Sequence, residues 1–238
     1  MGATALLAAL GWHAVREVPA APTRERRRRR TRVAWLCAGL SLALFGALAW
    51  GLYRDGAQVA FDDALAGSLA QHAWPAWLRL WALLTVAGDR NLLIVLGACV
   101  LAVLLLRRRW ADALVWVAGT AGAGVLNIVL KAAFARARPQ HGHGYAHAEG
   151  WSFPSGHATG AMAFYVMLAY LLVRRAPPGW QGAMVTGTAM LVAAVGYSRI
   201  VLQVHYFSDV VAAFAVTFAW LVLCMAARAW ACRRAAQG

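Results

Sequence analysis

The 238 residues are 62% hydrophobic and 13% charged, an apolar share far above that of a soluble domain, which excludes an ordinary soluble globular protein. The formal net charge of +14 would suit a nucleic-acid binder, but the arginines sit at the ends of long apolar runs, where they read as topology signals, so nucleic acid is not an expected partner. Cys37, Cys99, Cys224 and Cys232 show neither metal-ligand spacing nor a disulfide framework.

Residues 1–23 are Ala-rich and mixed, and residues 6–10 are too short to span a bilayer. No basic cluster precedes them, so a disordered or surface-lying segment is expected rather than a signal peptide. Residues 24–32 form a dense Arg block directly before the apolar run 33–52. Positive charge stays cytoplasmic, so residues 1–32 are expected to be a basic cytoplasmic segment and the first span to run outward. Residues 53–88 interleave Asp55, Asp62 and Asp63 with Phe61, Trp74, Trp77 and Trp81, which predicts amphipathic helices on the outer surface, broken near Pro75. Residues 91–106 are a second span, ending at Arg107-Arg108-Arg109, and residues 110–130 a third. The third carries Gly119, Gly122 and Gly124, which permit close helix contact. After a polar outer loop, residues 157–173 are a fourth span ending at Arg174-Arg175, and Pro177-Pro178-Gly179 makes a turn. Residues 182–197 run outward, and residues 210–227 return to Arg228, Arg233 and Arg234. The expected fold is therefore all-α: an integral membrane six-transmembrane-helix bundle at 33–230. Both termini are cytoplasmic, and Lys131, Arg138, His157, Arg199, His205 and Asp209 share the extracytoplasmic face.

Three polar stretches carry the chemistry. In Ser198-Arg199-x5-His205-x3-Asp209, the i, i+4 spacing of His205 and Asp209 predicts one helix face, with the carboxylate fixing the imidazole tautomer and the other ring nitrogen left as nucleophile or base. A capped helix-end histidine with Arg199 as an interfacial anchor is the simpler alternative. Lys131 and Arg138 are seven apart, so a continuing helix would align them two turns apart on one anion, or as two snorkelling cations, with Pro139 marking the helix end. Arg136 falls on a different face, where it would meet a lipid headgroup or second phosphate. Pro154-Ser155-Gly156-His157 leads into an apolar helix, an arrangement that serves as an anion site or as an ordinary N-cap. His141, His143 and His147 are either metal ligands or part of a solvated loop.

Taken together, Lys-x6-Arg-Pro, Pro-Ser-Gly-His and Ser-Arg-x5-His-x3-Asp resemble the three-part signature of the type 2 phosphatidic acid phosphatase superfamily, over residues 131–209. The resemblance implies that Lys131, Arg138 and Arg199 hold the phosphate oxygens, helped by Ser155 and the Gly156 N–H. It implies that His205 attacks phosphorus to form a phosphohistidine, that Asp209 orients His205, and that His157 protonates the leaving group and then activates water. This agrees with phosphoryl transfer in general, which needs positioned cations and an in-line nucleophile. The expected activity is metal- and cofactor-independent hydrolysis of a lipid phosphate or diphosphate in a bacterial inner membrane, with the site periplasmic. Undecaprenyl diphosphate is the leading substrate. Phosphatidylglycerol phosphate, phosphatidic acid, lipid A phosphates and lipid phosphotransfer are alternatives. A membrane anion transporter is the non-enzymatic alternative, and the soluble vanadate-dependent haloperoxidases of the same superfamily do not fit six spans.

Overall fold

The computed structural model describes residues 24–140 and 142–235. Residues 1–23 and His141, on which expectations were placed, lie outside the described residues. The helices are α1 (Arg24–Tyr53), α2 (Ala57–His72), α3 (Pro75–Leu84), α4 (Arg90–Leu106), α5 (Trp110–Phe134), α6 (Gly156–Val173), α7 (Pro178–Val201) and α8 (Phe207–Ala235), with a 3-10 turn at Thr85–Gly88. No strand occurs among the described residues. The chain divides into a short unit, Met1–Ala34, and a large one, Trp35–Gly238. The described part of the short unit is the Arg-rich start of α1.

Local chemistry sets the helix ends. Pro75 and Pro178 stand in the first turns of α3 and α7, where a missing N–H costs nothing. Asp89 caps α4 by accepting from the N–H groups of Asn91 and Leu92 at 2.9 Å each. Ser155 caps α6 through the Ala158 N–H. α5 stops where Ala135 takes a left-handed conformation (φ 45°) and its N–H bonds the Lys131 carbonyl. That stop precedes Arg138, so Lys131 and Arg138 do not share a helix face; the expected two-turn alignment is replaced by a loop.

Six helical stretches are long and apolar enough to cross a membrane: Thr31–Tyr53, Pro75–Leu106, Trp110–Phe134, Gly156–Val173, Pro178–Val201 and Phe207–Cys232. The second begins earlier than residue 91, because α3 and the 3-10 turn join α4 in one apolar stretch. Large apolar side chains such as Leu40, Leu106 and Leu114 are exposed, as lipid-facing surfaces require. This is an integral membrane protein. The Phe207–Cys232 window is 56% buried and that of Thr31–Tyr53 only 6%, so α8 is central.

The core lies between α4, α5, α6 and α8. Trp116 meets Phe164 edge-on at 5.4 Å and donates to the Gly97 carbonyl at 3.1 Å. A Cβ at Gly119 would stand 2.9 Å from Met167, and one at Gly122 would stand 2.6 Å from Trp220, so both glycines permit close packing; Gly124 has no neighbour within 4 Å and does not. One end of the bundle gathers Arg109, Arg174, Arg175 and Arg228 around Asp112. The opposite end gathers the C-terminus of α5, the N-termini of α6 and α8, and the end of α7.

Candidate active site

The end of α7 and the start of α8 form the floor. His205 precedes α8 in a tight turn after α7, so the expected helix face for His205 and Asp209 is not what brings them together. Asp209 is the third residue of α8, and its Oδ2 reaches back to the Tyr206 N–H at 2.9 Å, the acidic half of a capping box. That reach places Oδ2 3.4 Å from His205 Nδ1. Ser152 Oγ donates to the same Oδ2 and lies 3.3 Å from Nδ1. On the far side of the ring, Arg138 Nη1 is 3.2 Å from Nε2. The partners assign the proton to Nδ1 and the lone pair to Nε2. Burial holds the His205 imidazolium down to about 4; Asp209 opposes this, while Arg138 and Lys131 reinforce it.

Asp209 Oδ1 accepts from Arg136 Nη1 at 2.7 Å. Arg136 also bonds Ser208 Oγ and Asp62 Oδ2, both at 2.8 Å, and its guanidinium lies 4.1 Å from the Tyr206 ring centre. Although burial opposes its charge, Asp209 and Asp62 raise the pKa of Arg136 above its ordinary value. The expectation that Arg136 meets a lipid headgroup or second phosphate is thus corrected: it is buried between two carboxylates and ties α2 to α8. Asp62 further accepts from the Ser208 N–H at 3.0 Å. The acid is fully buried, where the sequence predicted an amphipathic helix on the outer surface.

The loop 149–156 forms one wall. Arg138 is bonded almost entirely to carbonyls: Gly150 at 2.9 Å, Val204 at 2.6 Å, Glu149 at 2.8 Å and Trp151 at 3.2 Å. Burial lowers its pKa, with Asp209 opposing. Lys131 Nζ donates to the carbonyls of Trp151 and Ser152. Two of the three expected phosphate cations therefore brace this wall. Asn127 Nδ2 pins the loop further through the Pro154 carbonyl at 3.2 Å and Thr159 Oγ1 at 3.1 Å. Ser155 is fully buried, and its N–H bonds the Asp209 carbonyl at 3.0 Å. Gly156 lies beside Lys131, whose Cε would be 3.9 Å from an added Cβ. The N–H groups of Gly156 and His157 open α6 without intrahelical acceptors.

Arg199 differs from the other two cations. It is 1% exposed, and its Nη1 donates to Thr85 Oγ1 at 2.8 Å, while Nε and Nη2 are buried without a partner. Its charge reaches His157 and Arg138. His157 also lies within electrostatic reach of His205 and Asp89. Gly88 packs against it: a Cβ there would stand 3.3 Å from His157 Cδ2 and 2.5 Å from Val195 Cγ1.

All eight residues singled out from the sequence thus meet at one end of the bundle. Ser152, Thr85, Asn127, Asp62 and Gly88 escaped that reading; the one available signal was a polar group in an apolar run, and it applied to Asn127 within residues 110–130. His143 and His147 lie in the segment that leads into the wall loop, and no group of three or more His, Cys, Asp or Glu that could hold a metal occurs among the described residues.

Comparison with known proteins places this architecture. Phosphatidylglycerophosphatase B of Bacillus subtilis is 29% identical over 179 residues, covering 74% of this chain and 88% of that protein. Lipid A 1-phosphatase of Rhizobium etli is 37% identical over 101 residues, 39% of this chain and 40% of the relative. The crystal structure of a transmembrane PAP2 type phosphatidylglycerolphosphate phosphatase from Bacillus subtilis matches with a TM-score of 0.72 at 26% identity, over 79% of this chain and 94% of that one. Residues 112–233, just over half of the chain, match the PAP2 superfamily, and they hold every one of the eight site residues: the chain belongs to that superfamily.

Proposed function

We propose that this protein is a membrane phosphatase that hydrolyses a lipid phosphate or diphosphate through a phosphohistidine on His205. The observation that carries the reading is Arg199: a fully buried guanidinium with Nε and Nη2 unpartnered, within electrostatic reach of His157. Two adjacent free N–H groups suit bidentate capture of phosphate oxygens, and leaving such a cation unpaired in the interior is costly. The N–H groups of Gly156 and His157, Lys131 and Arg138 would complete the cradle, with Ser155 holding the turn that aims them.

The steps follow from the tautomer. His205 Nε2 attacks phosphorus, the bond to the leaving oxygen breaks, and His157 as imidazolium gives that oxygen its proton. The new N–P bond puts positive charge on the ring, which Asp209 and Ser152 face at Nδ1. His157, now neutral, takes a proton from water; the hydroxide attacks phosphorus, the N–P bond breaks and phosphate departs. Because Arg138 faces Nε2 in this structure, substrate must enter between the two. The cations supply the charge stabilisation that metal ions give other phosphoryl-transfer enzymes.

Among headgroups, the extent of similarity to the phosphatidylglycerophosphatase favours phosphatidylglycerol phosphate over the undecaprenyl diphosphate expected from sequence, which no feature of the site singles out. The test is phosphate release by purified protein in excess chelator, on phosphatidylglycerol phosphate, undecaprenyl diphosphate, phosphatidic acid and a lipid A phosphate, with His205→Ala alongside. Turnover of one lipid, loss of at least about a thousandfold in the variant, and acid-labile label on wild type after rapid quench are expected. A fully active His205→Ala would sink the nucleophile assignment. Label passing to a second lipid instead of water would make the enzyme a phosphotransferase.

A further inference from the structure

At the end of the bundle remote from the candidate site, Asp112 faces four arginines. Arg109 and Arg228 bond it directly, and Arg174 and Arg175 stand 3.9 Å away. One carboxylate leaves this cluster strongly positive. The side chains of Arg174 and Arg175 remain 47% and 55% exposed, and Arg228 Nε is buried without an acceptor.

A cavity of about 530 Å³ opens beside this cluster between α6, α7 and α8. Its lining is apolar almost throughout, including Met162, Val166, Val185, Ala189 and Phe214, and it ends on Tyr170 and Arg174. The Arg174 guanidinium lies 5.3 Å from the Tyr170 ring centre, and Arg228 Nη1 donates to the Tyr170 hydroxyl at 3.3 Å, so both cations gather at the mouth. Along α6 the lining runs from Met162 to Arg174, about 18 Å at the helical rise. That is close to half of the roughly 30 Å hydrocarbon core, the depth of one leaflet.

An apolar slot one leaflet deep that ends on surplus positive charge complements a phospholipid with an anionic headgroup. We propose that this groove binds an anionic phospholipid of the leaflet on the basic side, one acyl chain in the slot and its phosphate on Arg174 and Arg175. It is a resident lipid and not the substrate, because α6 rises about 26 Å between His157 and Arg174. The charge surplus is the feature that selects a lipid over a second copy of the chain.

The test is native mass spectrometry of the full chain in detergent, with equal phosphatidylglycerol and phosphatidylcholine of the same chains. Wild type should retain phosphatidylglycerol and shed phosphatidylcholine. Arg174→Gln should weaken retention about fivefold, the effect of one arginine at a membrane surface. Ala189→Trp, which fills the slot, should abolish it while both variants melt as wild type does. Equal retention of the two lipids overturns the proposal, as does a lipid-free dimer that Ala189→Trp disrupts. If Ala189→Trp does not fold, unchanged retention in Arg174→Gln overturns it alone.

Discussion

At His205, a hydroxyl and a carboxylate face Nδ1 while a guanidinium N–H faces Nε2. The neutral ring is therefore oriented before substrate arrives, and burial keeps it neutral by holding its pKa near 4. This has a thermodynamic consequence. In the unfolded chain the imidazole titrates near 6.5, so between pH 6.5 and about 4 the unfolded state binds the extra proton and the folded state does not. Stability contributed by the neutral ring is thus complete above that window and is lost as pH falls through it. Thermal unfolding in detergent should show wild type losing stability more steeply from pH 6.5 to 4 than His205→Asn does. Parallel curves for the two proteins would mean that His205 is not held neutral. Arg136 has the opposite design, for its two carboxylates stabilise its charge. A buried ion triad of this kind is costly to break, because removing one partner strands the others.

At the scale of elements, the short 3-10 turn Thr85–Gly88 positions two active groups at once. Thr85 holds Arg199 by its Nη1, leaving Nε and Nη2 free, and Gly88 lets His157 approach. A methyl at Gly88 would meet Val195 Cγ1 at 2.5 Å, so Gly88→Ala must push the turn off α7. Overpacking of this size costs about 1–3 kcal/mol, and here it displaces Thr85 and His157 with it. We expect phosphate release to fall about tenfold or more with the fold intact, since small misplacements of catalytic groups have such effects. Gly88→Ala/Val195→Ala, which removes the clashing methyl, should recover most of it; no recovery would show that Gly88 acts by another route. Nothing in the sequence marks this turn. The long apolar runs marked the spanning helices, because lipid requires apolar side chains on every face exposed to it. The three polar stretches stood out because ionisable groups are rare there. The means by which they meet was another matter. The i, i+4 spacing of His205 and Asp209 suggested a helix face, yet a capping contact at the start of α8 joins them. The spacing of Lys131 and Arg138 suggested a helix that Ala135 ends. Ser152, Thr85 and Asn127 contribute through tertiary contacts to residues 25 or more positions away, which no local pattern encodes.

Across the whole molecule the two ends of the bundle carry charge differently. At the candidate site Lys131, Arg136 and Arg138 are matched by Asp62, Asp209 and backbone carbonyls, while Nε and Nη2 of the buried Arg199 have no partner. At the other end Asp112 alone faces four arginines, and Arg107 and Arg108 extend the surplus. Short arginine-rich connections are retained on the cytoplasmic side during insertion, so we propose that this end is cytoplasmic and the candidate active site extracytoplasmic. The orientation decides which leaflet supplies the substrate. It can be read in a variant with Cys37, Cys99, Cys224 and Cys232 replaced, by adding one cysteine at His147, just before the wall loop, or at Ala176 in the turn between α6 and α7. Both His147 and Ala176 lie off the apolar helices, so a thiol there meets water. A membrane-impermeant maleimide should label the His147→Cys protein in intact cells and the Ala176→Cys protein only after the membrane is opened. The reverse pattern would put phosphate release in the cytoplasm, and the arginine surplus would then need an explanation other than topology, with the anionic lipid groove on the outer leaflet.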